Sequence, residues 1–316
     1  MHQHAGGHVE LPGRLGSCTE KGVCMSSDGR PAIRGRRLGT ALRKHRESLR
    51  FDLKDAAEAV GCSTSKISRL ESGLSPARVG DVRILLDLYQ IQDAELRGRL
   101  ESLARQSNKR GWWADYQATV KAGFTDFVTL EADASFIRTW QTMFIPGILQ
   151  TPEYTRALFE SNPAAMSEEM VKEGLKIRQE RRRTVEEAGT RIAAVIWEHA
   201  LTSPMPSRSD HRKQIEHIVK VARRRSTTVQ ILPQGQWDAA RIASPFVAFS
   251  FDEEWAPEIV ALDALGGMLL IEDEEELARY GHAFDTLRSA ALSPEESLAF
   301  LRQTADGISQ EEAASE

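Results

Sequence analysis

Residues 60–73 read VGCSTSKISRLESG. Gly61 ends a preceding helix, Ser63 offers an N-cap hydroxyl, and Ile67 and Leu70 form a short apolar stripe before Gly73 stops the run. With Ile67 and Leu70 turned inward, Thr64, Ser65, Ser68 and Arg69 are left on the outer face of a helix of barely two turns. A short helix resting on its neighbours, with small hydroxyls and one fork-ended cation outward, suits a DNA major groove about 12 Å wide. Bulky apolar groups there would collide with base edges. The helix before it carries Ala56, Ala57 and Val60 behind a candidate N-cap at Asp52, and Ala57 is small where the two must cross. The pair reads as a helix-turn-helix.

Working outward, Leu38, Leu42 and Leu49 define one face of a first helix. Val79, Val82, Leu85, Leu86 and Tyr89 define a fourth, and Leu96, Leu100 and Leu103 a fifth. Five short helices between Leu38 and Gln106 make one compact all-α domain over residues 33–107. Asn108-Lys109-Arg110-Gly111 marks a boundary, and the pattern then becomes mixed. RIAAVIW (191–197), TVQIL (228–232), FVAFSF (246–251), EIVAL (258–262) and GMLLI (267–271) read as strands from their β-branched and apolar density. Residues 153–161, 166–187, 211–225, 274–291 and 294–305 read as helices, the last with Ser293 as cap, Pro294 first and Glu296 three after the cap. The expected fold is multi-domain: an N-terminal all-α five-helix helix-turn-helix domain, then a larger C-terminal α+β domain over 111–305. Residues 1–32 read as a disordered leader, with Met25 as a second candidate start of translation, and residues 306–316 as a disordered acidic tail.

No apolar run approaches the roughly 18–20 residues that span a bilayer, and the expected location is cytoplasmic and nucleoid-associated. Cys18, Cys24 and Cys62 have no paired spacing, which speaks against a disulfide framework. His2, His4 and His8 with Cys18 and Cys24 match no structural zinc pattern, and no metal or cofactor is expected. The net charge of −5 hides an asymmetry. Residues 30–80 hold twelve Arg and Lys against five Asp and Glu, a surplus of seven that leaves −12 for the rest. A basic module on an acidic body is expected where only one part meets a polyanion.

For chemistry the sequence has little. It lacks a Gly-rich phosphate loop, HExxH and a CxxC pair. Trp197-Glu198-His199 sets a carboxylate beside an imidazole, but sequence neighbours rarely face each other, and packing is the plainer reading. Ser203, Asp210 and His211 make a nucleophile group only on paper, since no strand-to-helix elbow accompanies them. No enzymatic activity is expected. Two arginine runs, Arg178 with Arg181–Arg183 and Arg223–Arg225, read as solvated helix faces, extra DNA contacts or a docking site for an acidic partner. Trp112, Trp113 and Tyr116 lie just past the boundary, where large aromatics serve core packing or lock two domains together.

AAEAVGCSTSKISRLESG resembles the phage-repressor-type (Xre-type) helix-turn-helix family, whose pattern falls here on Ala57, Gly61, Ile67, Ser68, Leu70, Glu71 and Gly73. The resemblance implies that Thr64, Ser65 and Arg69 contact bases and that Ser63, Lys66 and Ser72 face phosphates. It also implies that Glu71 is an internal carboxylate paired with Arg46. Leu53 departs from the family, many members of which carry a phosphate-binding Gln there. GWWADY (111–116), TLEADAS (129–135), IPGILQTPEYTRAL (145–158), IRQERR (177–182), TVQILP (228–233) and ALSPEESLAFL (291–301) resemble the C-terminal, antitoxin-like domain of an actinomycete regulator family with WhiJ-like members. Ile148-Leu149 stands where that family usually has Leu-Leu. Ile145-Pro146-Gly147 reads as a turn and Thr151 as a cap, forming either a packed corner or a partner groove.

These resemblances imply a sequence-specific transcriptional regulator, a repressor binding a double-stranded DNA operator as a homodimer, controlled by a small partner protein. A competing expectation is a small-molecule-sensing repressor with a ligand pocket in the C-terminal domain; a remote one is a DNA-tethered enzyme.

Overall fold

The structure is a computed structural model that describes residues 33–107, 123–161, 166–203, 205, 207–252, 258–265 and 267–313. The leader, the boundary at 108–111 and the aromatic group Trp112, Trp113 and Tyr116 lie outside the described residues.

Five helices make the first domain: α1 (Ile33–Ser48), α2 (Leu53–Val60), α3 (Thr64–Glu71), α4 (Val79–Leu88) and α5 (Ala94–Ser107). Leu38, Leu42, Ala56, Ile67, Leu70, Val82, Leu85, Leu86 and Leu100 close one core between them. Leu49 is a correction: α1 stops at Ser48, Arg50 takes a left-handed φ of 59°, and Leu49 is exposed. Ala56 and Ala57 are buried at the crossing of α2 and α3. The tightest approach is elsewhere. A Cβ on Gly39 of α1 would lie 2.3 Å from the Glu71 carbonyl oxygen and 2.7 Å from that of Leu70.

The second domain begins with α6 (Phe124–Asp133) and β1 (Phe136–Gln141), followed by α7 (Pro152–Glu160), α8 (Glu168–Glu187) and β2 (Arg191–Trp197). Next come α9 (Glu198–Thr202), α10 (Arg208–Val221), β3 (Thr227–Leu232), α11 (Trp237–Ala240), β4 (Phe246–Ser250), β5 (Ile259–Ala264), β6 (Gly267–Ile271), α12 (Glu274–Ala290) and α13 (Pro294–Ala313). The six strands form one mixed sheet in the order β3-β2-β1-β4-β5-β6. β1, β2 and β3 are parallel, joined through helices as parallel strands must be, while β4, β5 and β6 are antiparallel. Alternation along β2 sends Ile192, Ala194 and Ile196 into a core with α10 and α13, and Val195 into a second core with α12.

β1 pairs with both β2 and β4, and sequence density passed over it. Arg138, Thr139 and Gln141 thin its apolar count, although Ile137 and Trp140 are buried to opposite sides. The edge of β3 is covered at Ile231, whose N–H donates to Ser297 Oγ (3.0 Å) and whose carbonyl accepts from Leu292 N–H (2.9 Å). The expected disordered tail is also corrected. α13 runs to Ala313, and Ile308 packs against the core two turns beyond Leu301.

The boundary needs a further correction. The first turn of α1 belongs in packing to the second domain, because Ile33 is 1% exposed within the core of α6, β1 and β2. Its N–H donates to Asp126 Oδ1 at 3.3 Å. Arg34 binds Asp133 through Nε (2.9 Å) and Nη2 (2.6 Å), and Arg37 Nη1 reaches the same carboxylate at 3.3 Å. Arg36 Nη2 lies 3.0 Å from Glu272, and Arg37 stacks over Phe251 with 3.5 Å from Cζ to the ring centre.

The α1–α3 approach generates a paired test. Gly39→Ala should destabilise the chain by about 1–3 kcal/mol in urea unfolding, because the new methyl meets backbone that cannot yield. Gly98→Ala, where nothing lies within 4 Å of the added Cβ in α5, should stabilise it by ~1 kcal/mol.

Candidate nucleic-acid interface

Each segment of the helix-turn-helix is fixed by local chemistry. Asp52 caps α2, accepting from Lys54 N–H (2.7 Å) and Asp55 N–H (2.9 Å), and Asp55 returns the bond to Asp52 N–H (2.7 Å). Those backbone donors hold the Asp52 carboxyl below its ordinary range. Gly61 ends α2 at φ 70°, a conformation that favours glycine. Ser63 then caps α3, its Oγ accepting from Lys66 N–H at 3.2 Å.

The consequence is a helix with one buried and one open face. Ile67 and Leu70 are 1% and 3% exposed. Thr64, Ser65, Ser68 and Arg69 face solvent, and among the described residues the hydroxyls of Thr64 and Ser65 have no protein partner. Arg69 is held lightly, Nη2 donating to the Leu74 carbonyl at 3.2 Å. Ser72 is exposed, but its hydroxyl donates to the Ser68 carbonyl at 2.9 Å. An open cleft of about 730 Å³ flanks α3, lined by Arg43, Lys54, Thr64, Ser68 and Ser72.

Arg46 and Glu71 form a bidentate pair, Nε to Oε1 at 2.7 Å and Nη2 to Oε2 at 2.9 Å, both side chains under 10% exposed. The Glu71 hydrogen bond raises the Arg46 pKa, and burial raises that of the neighbouring Tyr89 phenol. This pair joins α1 to α3 behind the open face.

Lys66 departs from the expectation of a free, phosphate-facing ammonium. Its Nζ sits 2.7 Å from Asp81 Oδ2 on α4, so its charge is neutralised inside the domain. Nothing in the sequence signals the pair, since the Leu74-Ser75-Pro76 break separates its members. The basic surplus is likewise smaller at the surface than in the count, because Arg34, Arg36 and Arg37 face Asp133, Asp126 and Glu272.

The sequence-suggested chemical groups have other partners. His211 Nε2 meets the Leu201 carbonyl at 2.7 Å, Ser203 Oγ donates to the His199 carbonyl at 2.7 Å, and Asp210 binds Lys213 Nζ at 3.1 Å. The Glu198 carboxylate accepts from Gln234 N–H at 2.8 Å.

The arginine runs divide. Arg181 is buried in a bidentate pair with Glu131 (2.5 and 2.9 Å), against Phe127. Arg178 lies over Gly147, where a Cβ would fall 1.9 Å from its Nη1, and burial pushes its pKa down to about 9. Arg183 pairs with Glu180 and Glu187, Arg182 leans toward Glu186, and Arg224 binds Glu186 at 2.7 Å. Arg183 and Arg223–Arg225 keep the expected solvated setting, Arg183 and Arg224 with surface carboxylate partners. At the turn of IPGILQTPEYTRAL, Gly147 leaves room for the Arg178 guanidinium to lie against the backbone. Around it Gln214 binds Thr151 N–H (2.6 Å) and the Leu149 carbonyl (2.8 Å), Thr151 caps α7, and Gln150 holds the Ile145 carbonyl (2.7 Å). Residues 145–151 of the stretch are a packed corner.

Residues 124–303, more than half of the chain, match a domain of unknown function, DUF5753. The chain belongs to the DUF5753 family. Residues 37–100 match a helix-turn-helix domain, which supports a DNA-binding regulator. No curated protein and no solved structure matches this member of the family. Among the described residues no helix is long and apolar enough to cross a membrane.

The buried pair gives a direct expectation. Glu71→Ala strands the Arg46 guanidinium and should destabilise the first domain by about 3–5 kcal/mol, read by chemical denaturation.

Proposed function

We propose that the protein is a sequence-specific transcriptional regulator that reads double-stranded DNA with the outer face of α3. The observation that carries this reading is an exposed row of Thr64, Ser65 and Arg69 on a helix clamped from behind by Ile67, Leu70 and the Arg46–Glu71 pair. Thr64 and Ser65 serve as adaptable base contacts. Arg69 leaves the Leu74 carbonyl to bind a guanine through two bonds. Ser63 and Ser72 can each donate to a phosphate, although the Ser72 proton must first leave Ser68. The resemblance to repressors and to WhiJ-like regulators supports repression, an antitoxin-like role, a homodimer that reads two half-sites, and control by a small partner protein. For that partner the second domain offers an open cleft of about 690 Å³ beside α7, lined by Ala157, Leu175 and Met205 together with Glu153, Arg156 and Glu160.

Selection of duplexes from a random pool by the full chain should enrich one two-fold-related motif, and a pool that stays random would sink the proposal. Against that motif, Arg69→Ala should lose ~1–3 kcal/mol of discrimination at one base position while the melting temperature holds. Retained base preference would remove Arg69 from the reading. Asp81→Asn releases Lys66 for a phosphate and should steepen the plot of log K against log salt concentration by about one unit; an unchanged slope would show that Lys66 makes no phosphate contact even when free.

A further inference from the structure

The first turn of α1 touches two things at once. On one side it is fastened to the second domain by Ile33 in that domain's core, by Asp133 taking both Arg34 and Arg37, and by Arg36 between Asp126 and Glu272. On the other side the same stretch of backbone lies against the C-terminal end of α3. A Cβ on Gly73, at φ 72°, would sit 2.9 Å from Arg36 N, and one on Gly39 would meet the Glu71 and Leu70 carbonyls. No side chain cushions these contacts, so α1 cannot slide against α3 without backbone collision. About two turns beyond Gly39, Arg46 ties α1 to Glu71 a second time.

We propose that Asp133, with Asp126 and Glu272, forms a positioning site for α3, and that the first turn of α1 is the joint through which the DUF5753 domain sets the orientation of the DNA-reading helix. The inference rests on the reading of α3 given above. The carboxylates act through Arg34, Arg36 and Arg37. A molecule bound to the second domain that shifts α6 or the β6–α12 turn draws α1, and α3 moves with it. The joint is electrostatic in its fastening and steric in its transmission.

The full chain is compared with Asp133→Asn and with Asp133→Glu, which keeps the carboxylate. Amide exchange of residues 67–73 should accelerate about tenfold in Asp133→Asn and stay near the wild-type rate in Asp133→Glu. The ratio of selected-duplex to random-duplex affinity should fall about tenfold in the first variant alone. Unchanged exchange in Asp133→Asn overturns the inference. So does loss of far-ultraviolet helical signal together with faster exchange across all five helices, since Asp133 would then support the fold without positioning one helix. A wild-type chain that enriches no duplex counts against DNA reading by α3, while the exchange measurement still decides whether the joint exists.

Discussion

The organisation of this molecule depends on the space left by a missing methyl group at Gly39. Two helices approach until backbone touches backbone, and everything that faces outward on α3 is referenced to that contact. Ile67 and Leu70 press the helix down, Arg46 holds Glu71, and the open face inherits its direction from these constraints. A buried ion pair is weak evidence for net stability, because desolvation offsets much of the attraction. Its value here is geometric: two parallel hydrogen bonds allow one relative placement of α1 and α3, where apolar packing alone would tolerate several.

The helix-turn-helix was legible in the sequence because its signals are local. Caps, the left-handed Gly61 and the Ile67–Leu70 spacing all act within a few residues, and the helices form where those signals lie. Charge was the misleading quantity. Counting cations between residues 30 and 80 cannot distinguish one that faces solvent from one that faces a carboxylate of the second domain, and Arg34, Arg36 and Arg37 are of the second kind. The Lys66–Asp81 pair escaped for the same reason at shorter range.

In the larger domain, strands dense in β-branched residues were found and β1 was not. Its Arg138 and Thr139 find partners in Glu258 and in the Phe246 carbonyl, so a central strand can carry polar side chains that its neighbours engage. Likewise IPGILQTPEYTRAL reads as a distinctive motif, but the reason for its glycine becomes visible only when α8 brings Arg178 over it. The end of α13 is acidic and polar in composition, yet the half-buried Ile308 continues its packing against the core.

The pairing of Lys66 with Asp81 also bears on how such a molecule behaves among vast numbers of wrong addresses. A regulator with every cation free is retained by any stretch of duplex, because phosphate attraction ignores sequence and the chromosome supplies competitors in enormous excess. Internal neutralisation shortens each mistaken visit. On the proposed reading, an acidic side chain that never leaves the protein lowers its attraction to duplex of any sequence.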